Sequence, residues 1–99
     1  MSRPPAERPD PVAVALQYDR KEDAAPRVVA SGRGAIAERI LELAFAHGIA
    51  VREDADLAEI LTAVEIGQQI PIAAFAAVAE ILFHIYRANE RQAAQRPSP

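Results

Sequence analysis

The sequence predicts a small α/β domain, and three observations carry that expectation. Apolar residues alternate with period two near the start of the chain, the pattern shifts to helical spacing after paired glycines, and prolines gather at the two ends. The chain has 99 residues, a net charge of -3, no cysteine and no tryptophan. That length accommodates one hydrophobic core. With 51% apolar and 25% charged residues the composition is that of a globular chain rather than a disordered one. Only five residues are aromatic, so the core must be built from Ala, Val, Ile and Leu.

The elements follow in order. Val12-Ala13-Val14-Ala15-Leu16-Gln17-Tyr18 reads as a strand with Val12, Val14, Leu16 and Tyr18 on one face. Ala13 and Ala15 on the other face are small enough to admit a close neighbour. The charged stretch Asp19-Arg20-Lys21-Glu22-Asp23 is a turn, and Pro26 introduces a second strand, Arg27-Val28-Val29-Ala30. The two strands are expected to form an antiparallel hairpin, after which Gly32 and Gly34 break the chain. Ile36, Ile40, Leu43 and His47 then lie at helical spacing, with Gly48 as the residue that ends the helix. Ile49-Ala50-Val51 is expected to be a short strand, completing a β–α–β crossover onto a parallel neighbour. Asp54 suits the N-cap of a second helix carrying Leu57, Ile60, Leu61 and Val64, closed by Gly67. Pro71 suits the first turn of a third helix, over about residues 72–89. That helix is apolar on two stripes, Phe75, Val78, Ala79, Leu82 and Tyr86 on one and Ala74, Ala77, Ile81 and Ile85 on the other. A helix so apolar at the end of a small chain is either embedded or meets a partner.

Charge and proline divide the chain into three parts. Residues 12–87 hold seven basic and eleven acidic side chains, net -4, and six of the eight prolines fall outside them. The expected organisation is a Pro-rich tail over residues 1–11, a folded domain over 12–88 and a second tail over 89–99. No apolar run reaches the roughly 18 to 20 residues a bilayer-spanning helix needs, and the N-terminus lacks the pattern of a secretory signal. An acidic chain with scattered Lys and Arg is a poor match to a phosphate backbone, so neither nucleic acid nor direct membrane insertion is expected.

Residues capable of chemistry are sparse. Without cysteine there is no disulfide framework and no thiolate metal site. The serines are Ser2, Ser31 and Ser98, and the two histidines, His47 and His84, fall on different predicted helices. His47 suits the last turn of its helix, where its side chain can meet free carbonyls. His84 reads as a surface or partner-facing residue. No metal, no cofactor and no catalytic residue is assigned. Ser31-Gly32-Arg33-Gly34 joins a strand to a helix N-terminus, a place where backbone amides hold anions, but it lacks the spacing of a P-loop or dinucleotide fingerprint. A tight strand-to-helix turn explains the glycines equally well. Glu53, Asp54 and Asp56 are accounted for by helix capping and dipole compensation.

Several separated blocks resemble one family. Val12-Ala13-Val14-Ala15-Leu16-Gln17-Tyr18-Asp19, Ala25-Pro26-Arg27-Val28-Val29-Ala30, Ala46-His47-Gly48, Glu65-Ile66-Gly67-Gln68-Gln69-Ile70-Pro71 and Ala77-Val78-Ala79-Glu80-Ile81-Leu82 are similar, in that order, to the C-terminal cytoplasmic domain of the FlhB family of the flagellar and type III secretion export apparatus. The resemblance implies a substrate-specificity switch domain beside an export gate. Family members carry Asn-Pro-Thr-His before the first strand, and the asparagine side chain attacks its own carbonyl carbon to break the Asn–Pro bond. The four corresponding positions here are Arg8, Pro9, Asp10 and Pro11. A guanidinium cannot make that attack and Pro11 replaces the histidine, so the expectation is a free-standing, FlhB-like paralogue that does not cut itself.

On that resemblance the function is protein binding, with export-apparatus components and export substrates as partners. The expected location is the cytoplasm, at most peripheral to the membrane-embedded gate. Ala25 and Pro26 at the start of the second strand, with Ala79 and Leu82 of the last helix, form the candidate protein-binding patch, a shallow groove for an aliphatic side chain. The plainer account of the same four residues is that they fill the core. Two other classes stay open, a regulatory adaptor that uses the last helix to hold a cytosolic protein, and a small nucleotide-binding α/β module built on residues 31–34.

Overall fold

Alternating apolar residues produce the first two elements, and a computed structural model, which describes residues 10–95, pairs them. Strand β1 (Val12–Gln17) runs antiparallel to β2 (Arg27–Arg33), followed by helices α1 (Ala35–Ala46), α2 (Ala55–Leu61) and α3 (Ile72–Gln95). The hairpin turn is held by its own acidic residues. The Asp19 carbonyl accepts from the Glu22 and Asp23 amides, and the Asp19 and Asp23 carboxylates accept from the Lys21 and Asp19 amides at 2.9 and 3.1 Å.

The hairpin contains one bulge. Ala15 faces Ala30 but Leu16 faces Val28, so Val29 is the extra residue. Its consequence is a choice between two valines. Val28 sits opposite Leu16 and is 0% exposed, whereas Val29 is 44% exposed. On this face Val28 joins Leu57 and Leu61 of α2, Ile70, and Ala74 and Val78 of α3 in the hydrophobic core, with Val14 and Leu16 packed against it.

The other face is held differently. Helix α1 packs against β1 and β2 and against neither other helix. Ala13 pairs with Gly32, so the two share a face opposite to that of Val14 and Leu16. Ala13 and Ala37 are both buried yet lie outside the main cluster. A Cβ on Gly32 would fall 2.1 Å from Ile36 Cγ2 and 2.7 Å from its Cβ, so the first turn of α1 rests where only glycine leaves room. Gly34, at φ 59, turns the chain from strand into helix.

Several expectations need correction. Residues 49–51 form no strand, and Ile49 is 61% exposed. Two physical causes act together. Helix α1 ends in a Schellman turn, in which the Ile49 amide donates to the Ala44 carbonyl at 2.8 Å and Gly48 (φ 66) donates to Phe45 at 3.3 Å. In addition, the free edge of β2 is taken by residues 67–70. The Val28 amide donates to Gln68, Gly67 donates to Val28 and Ile70 donates to Pro26, at 2.7–2.9 Å. Arg27 and Gln69 form an antiparallel bridge there, and the Arg27 guanidinium donates to the Gly67 carbonyl. A covered edge has no ladder to offer a parallel strand.

The sheet among the described residues is therefore two-stranded. Strand β2 also continues through Ser31, Gly32 and Arg33, so the break falls at Gly34 alone. On α1 the inward face is Ala37, Ile40, Leu41 and Ala44, whereas Ile36 and Leu43 of the expected stripe are exposed, since contact with a two-stranded sheet covers only a narrow strip of helix. Helix α2 ends at Leu61, before Gly67, and its Ile60 is exposed. The Asp54 cap is as expected, with Oδ1 accepting from the Leu57 amide at 3.0 Å. Helix α3 continues to Gln95, six residues past Asn89. The rest of the expected tails, residues 1–9 and 96–99, lies outside the described residues.

Candidate functional site

The four residues of the expected patch are divided by the fold. Pro26 is fully buried, its carbonyl engaged by the Ile70 amide, so it belongs to the core. The cause is the covering of β2 by residues 67–70, which closes over the start of that strand. Ala25 is half-buried against the core, as is Leu82. Ala79 and Leu82, three residues apart on α3, line one shallow groove, and neither Ala25 nor Pro26 lines it.

The groove, about 180 Å³, brings the end of β1 to α3. It is lined by Ala79, its smallest side chain, together with Tyr18, Arg20, Phe75, Leu82, Phe83 and Tyr86. Tyr18 meets Phe75 edge-to-face at a centroid distance of 6.3 Å. The Arg20 guanidinium lies over the Tyr86 ring at 4.6 Å, and that of Arg87 lies 5.7 Å from the Phe83 centroid. Phe83 is 57% exposed, a large apolar surface left open at the rim. Among the described residues the lining contains no carboxylate. Four of the chain's five aromatic side chains thus meet at one surface depression. Such a depression can seat one apolar side chain of a partner, with the short Ala79 side chain leaving room for it.

Phe75, Ala79, Leu82 and Tyr86 were legible as a helical stripe. Tyr18, Arg20 and Phe83 were not assigned to a site. No local signal ties Tyr18 and Arg20 to a helix more than fifty residues later. The available clue was the concentration of aromatics on α3 together with Tyr18 at the core-facing end of the strand pattern.

The remaining candidates fall elsewhere. Arg8 and Pro9 lie outside the described residues. Pro11 and Asp10 flank the turn into α1, where the Pro11 carbonyl accepts from the Gly34 amide at 2.9 Å. That bond occupies an amide of the Ser31–Gly34 stretch, and Gly32 is explained by its contact with Ile36. Arg33 of the same stretch makes a two-pronged pair with Glu59 of α2, both contacts 2.7 Å. Hydrogen bonding to Arg33 lowers the Glu59 carboxyl from its ordinary pKa, and the same bond raises that of Arg33. The pair ties the end of β2 to α2.

His47 is exposed, and its side chain forms no hydrogen bond among the described residues. The α1 carbonyls it was expected to meet are engaged by backbone amides instead. His84 is exposed beside a wider cleft of about 510 Å³ between residues 51–54 and α3, which mixes Arg52 with the carboxylates of Asp54 and Glu80. Among the described residues no group of three His, Asp or Glu is placed to hold a metal ion. No described helix is long and apolar enough to cross a membrane.

The elements together make an α/β domain of one hairpin and three helices. The chain matches the family described as FlhB HrpN YscU SpaS over residues 8–85, and it belongs to that family of flagellar and type III export proteins. It is 45% identical over 92 residues to the flagellar biosynthetic protein FlhB of Salmonella typhimurium, covering 90% of this chain and 24% of that protein. It is 42% identical over 78 residues to the uncharacterised protein YlqH of Bacillus subtilis, covering 79% of this chain and 84% of YlqH. The chain thus spans about a quarter of the Salmonella protein's length and most of the Bacillus one's. Among solved structures, the cytoplasmic domain of FlhB from Shewanella putrefaciens superposes with a TM-score of 0.78 at 34% identity, covering 89% of this chain and 73% of that one. The PscU C-terminal domain gives 0.71 at 32% identity, covering 75% and 95%. The expected family and α/β class are thereby established, with the parallel strand removed from the latter.

Proposed function

We propose that this domain is a protein-binding module of the flagellar or type III export system that does not cut itself, working on the cytoplasmic side of the export gate. The supporting observation is a pairing of loss and retention. Arg8 stands where the family's cyclising asparagine would be, while the Ala79–Leu82 groove on α3 is open and lined by apolar side chains. A guanidinium stays protonated and delocalised and so offers no nucleophilic nitrogen to its own carbonyl carbon, and on this reading the peptide bond before Pro9 stays whole. The groove needs no cleavage to seat a side chain. Its partners on this reading are export substrates or gate subunits that insert an aliphatic or aromatic residue against Ala79.

Ala79→Asp places a charge in the groove at a half-buried position outside the fully buried side chains. It is expected to abolish capture of early flagellar export substrates and leave the thermal melt within a few degrees of the parent. Retained capture would overturn the reading. Ala25 rests on the core, so Ala25→Asp is expected to lower stability instead. Intact mass after prolonged incubation at neutral pH is expected to show one species of 10.7 kDa. Two fragments meeting between Arg8 and Pro9 would refute the claim of a silent cleavage site.

A further inference from the structure

We propose that Arg20 makes the groove selective for an apolar side chain with a carboxylate close by in the same segment. The inference rests on the binding role proposed above and narrows its ligand class. Three observations carry it. Arg20 lines the groove, and its guanidinium carbon lies over the Tyr86 ring, 4.6 Å from the centroid. A guanidinium so placed carries N–H donors in a fork that suits a planar carboxylate. Second, Arg20 has no carboxylate or carbonyl partner among the described residues, in contrast to Arg27, Arg33 and Arg39, which all have one.

Third, Asp19 and Asp23, the acids on either side of Arg20, are engaged in the turn, and among the described residues Glu22 makes no ion pair with it. Asp19 accepts from the Lys21 amide, and Asp23 accepts from the Asp19 amide and pairs with Arg27 at 3.6 Å. A cation without an ion-pair partner among the described residues thus sits at an apolar groove on a chain whose net charge is negative. A partner segment bearing only apolar residues would leave Arg20 unanswered. One bearing lysine or arginine there would be repelled. A segment with Asp or Glu within about one helical turn of its apolar anchor satisfies both the groove and the guanidinium.

The test is selection from a library of random twelve-residue peptides on the full chain, beside its Arg20→Gln and Ala79→Asp variants. The full chain is expected to enrich peptides with a Leu, Ile or Phe anchor and an Asp or Glu within four positions. Arg20→Gln is expected to keep the anchor preference and lose the acidic one, and Ala79→Asp to lose both. A selected peptide should bind Arg20→Gln about two- to fivefold more weakly than the parent by fluorescence anisotropy, the range of an exposed ion pair. The parent's advantage should shrink at high salt. Enrichment of apolar anchors without acids overturns the role of Arg20 and leaves the binding role intact. Absence of any apolar anchor overturns both.

Discussion

The two faces of the hairpin are built on opposite principles. Toward α2 and α3, large side chains interdigitate, with Val28, Leu57, Leu61, Ile70 and Val78 buried and Val14 and Leu16 packed against them. Toward α1, contact depends on what is missing, because Ala13, Gly32 and Ala37 let helix and sheet approach and little else is buried. The first face derives its stability from apolar area, the second from a close fit over small residues. It follows that α1 carries much exposed apolar surface, Ile36, Leu43 and Phe45 among it, without forfeiting its place on the sheet.

The largest effect that would break this contrast is on the core face. Leu61→Ala should cost about 2–5 kcal/mol, the range for a buried leucine, measured by urea denaturation. Phe45→Ser on α1, at a residue 70% exposed, should change stability by less than about 0.5 kcal/mol. Equal costs for the two would erase the distinction. A smaller effect is expected on the α1 face. Gly32→Ala must displace Ile36 or the helix that carries it, at a cost of about 1–3 kcal/mol. Adding Ile36→Ala should restore only part of this, because the Ile36 Cβ itself stands 2.7 Å from the new methyl. Full tolerance of Gly32→Ala would mean that α1 is not held by close approach.

The smallest effect concerns the pair that joins the two halves. Glu59 has a lowered pKa in the folded state because it is hydrogen-bonded to Arg33. Its contribution is therefore present above the carboxylate's ordinary pKa and is lost as pH falls through the lower, folded value. Both partners are about half exposed, at 52% and 53%, so the effect should be modest and weaken with salt. Comparing the parent with Glu59→Gln in denaturation curves from neutral to acidic pH should show the parent's advantage shrinking as the medium is acidified. A pH-independent difference would mean that the pair does not tie β2 to α2.

How much of this could be read beforehand depends on the range of the interactions involved. Asp54 was legible as a cap because its acceptor lies three residues away, and Gly48 as a helix stop because the Schellman turn is closed within six residues. The hairpin was legible because its alternation is local. The groove was half legible. Helical spacing collected Phe75, Ala79, Leu82 and Tyr86, whereas Tyr18 and Arg20, in the segment after β1, reach it only through the tertiary fold.

By itself, then, the sequence determined the hairpin and the three helices that follow it, the Asp54 cap, the Gly48 stop and, through its ordered blocks, the family. Only the tertiary structure decided which segment covers β2, which valine of the Val28–Val29 pair turns inward, and that Pro26 is core while Ala79 is surface. The reason is one of distance along the chain. Caps and periodicities arise between residues within a turn or two of each other, but an edge can be claimed by only one segment. That competition between residues 49–51 and 67–70 was settled by backbone bonds formed some forty residues apart.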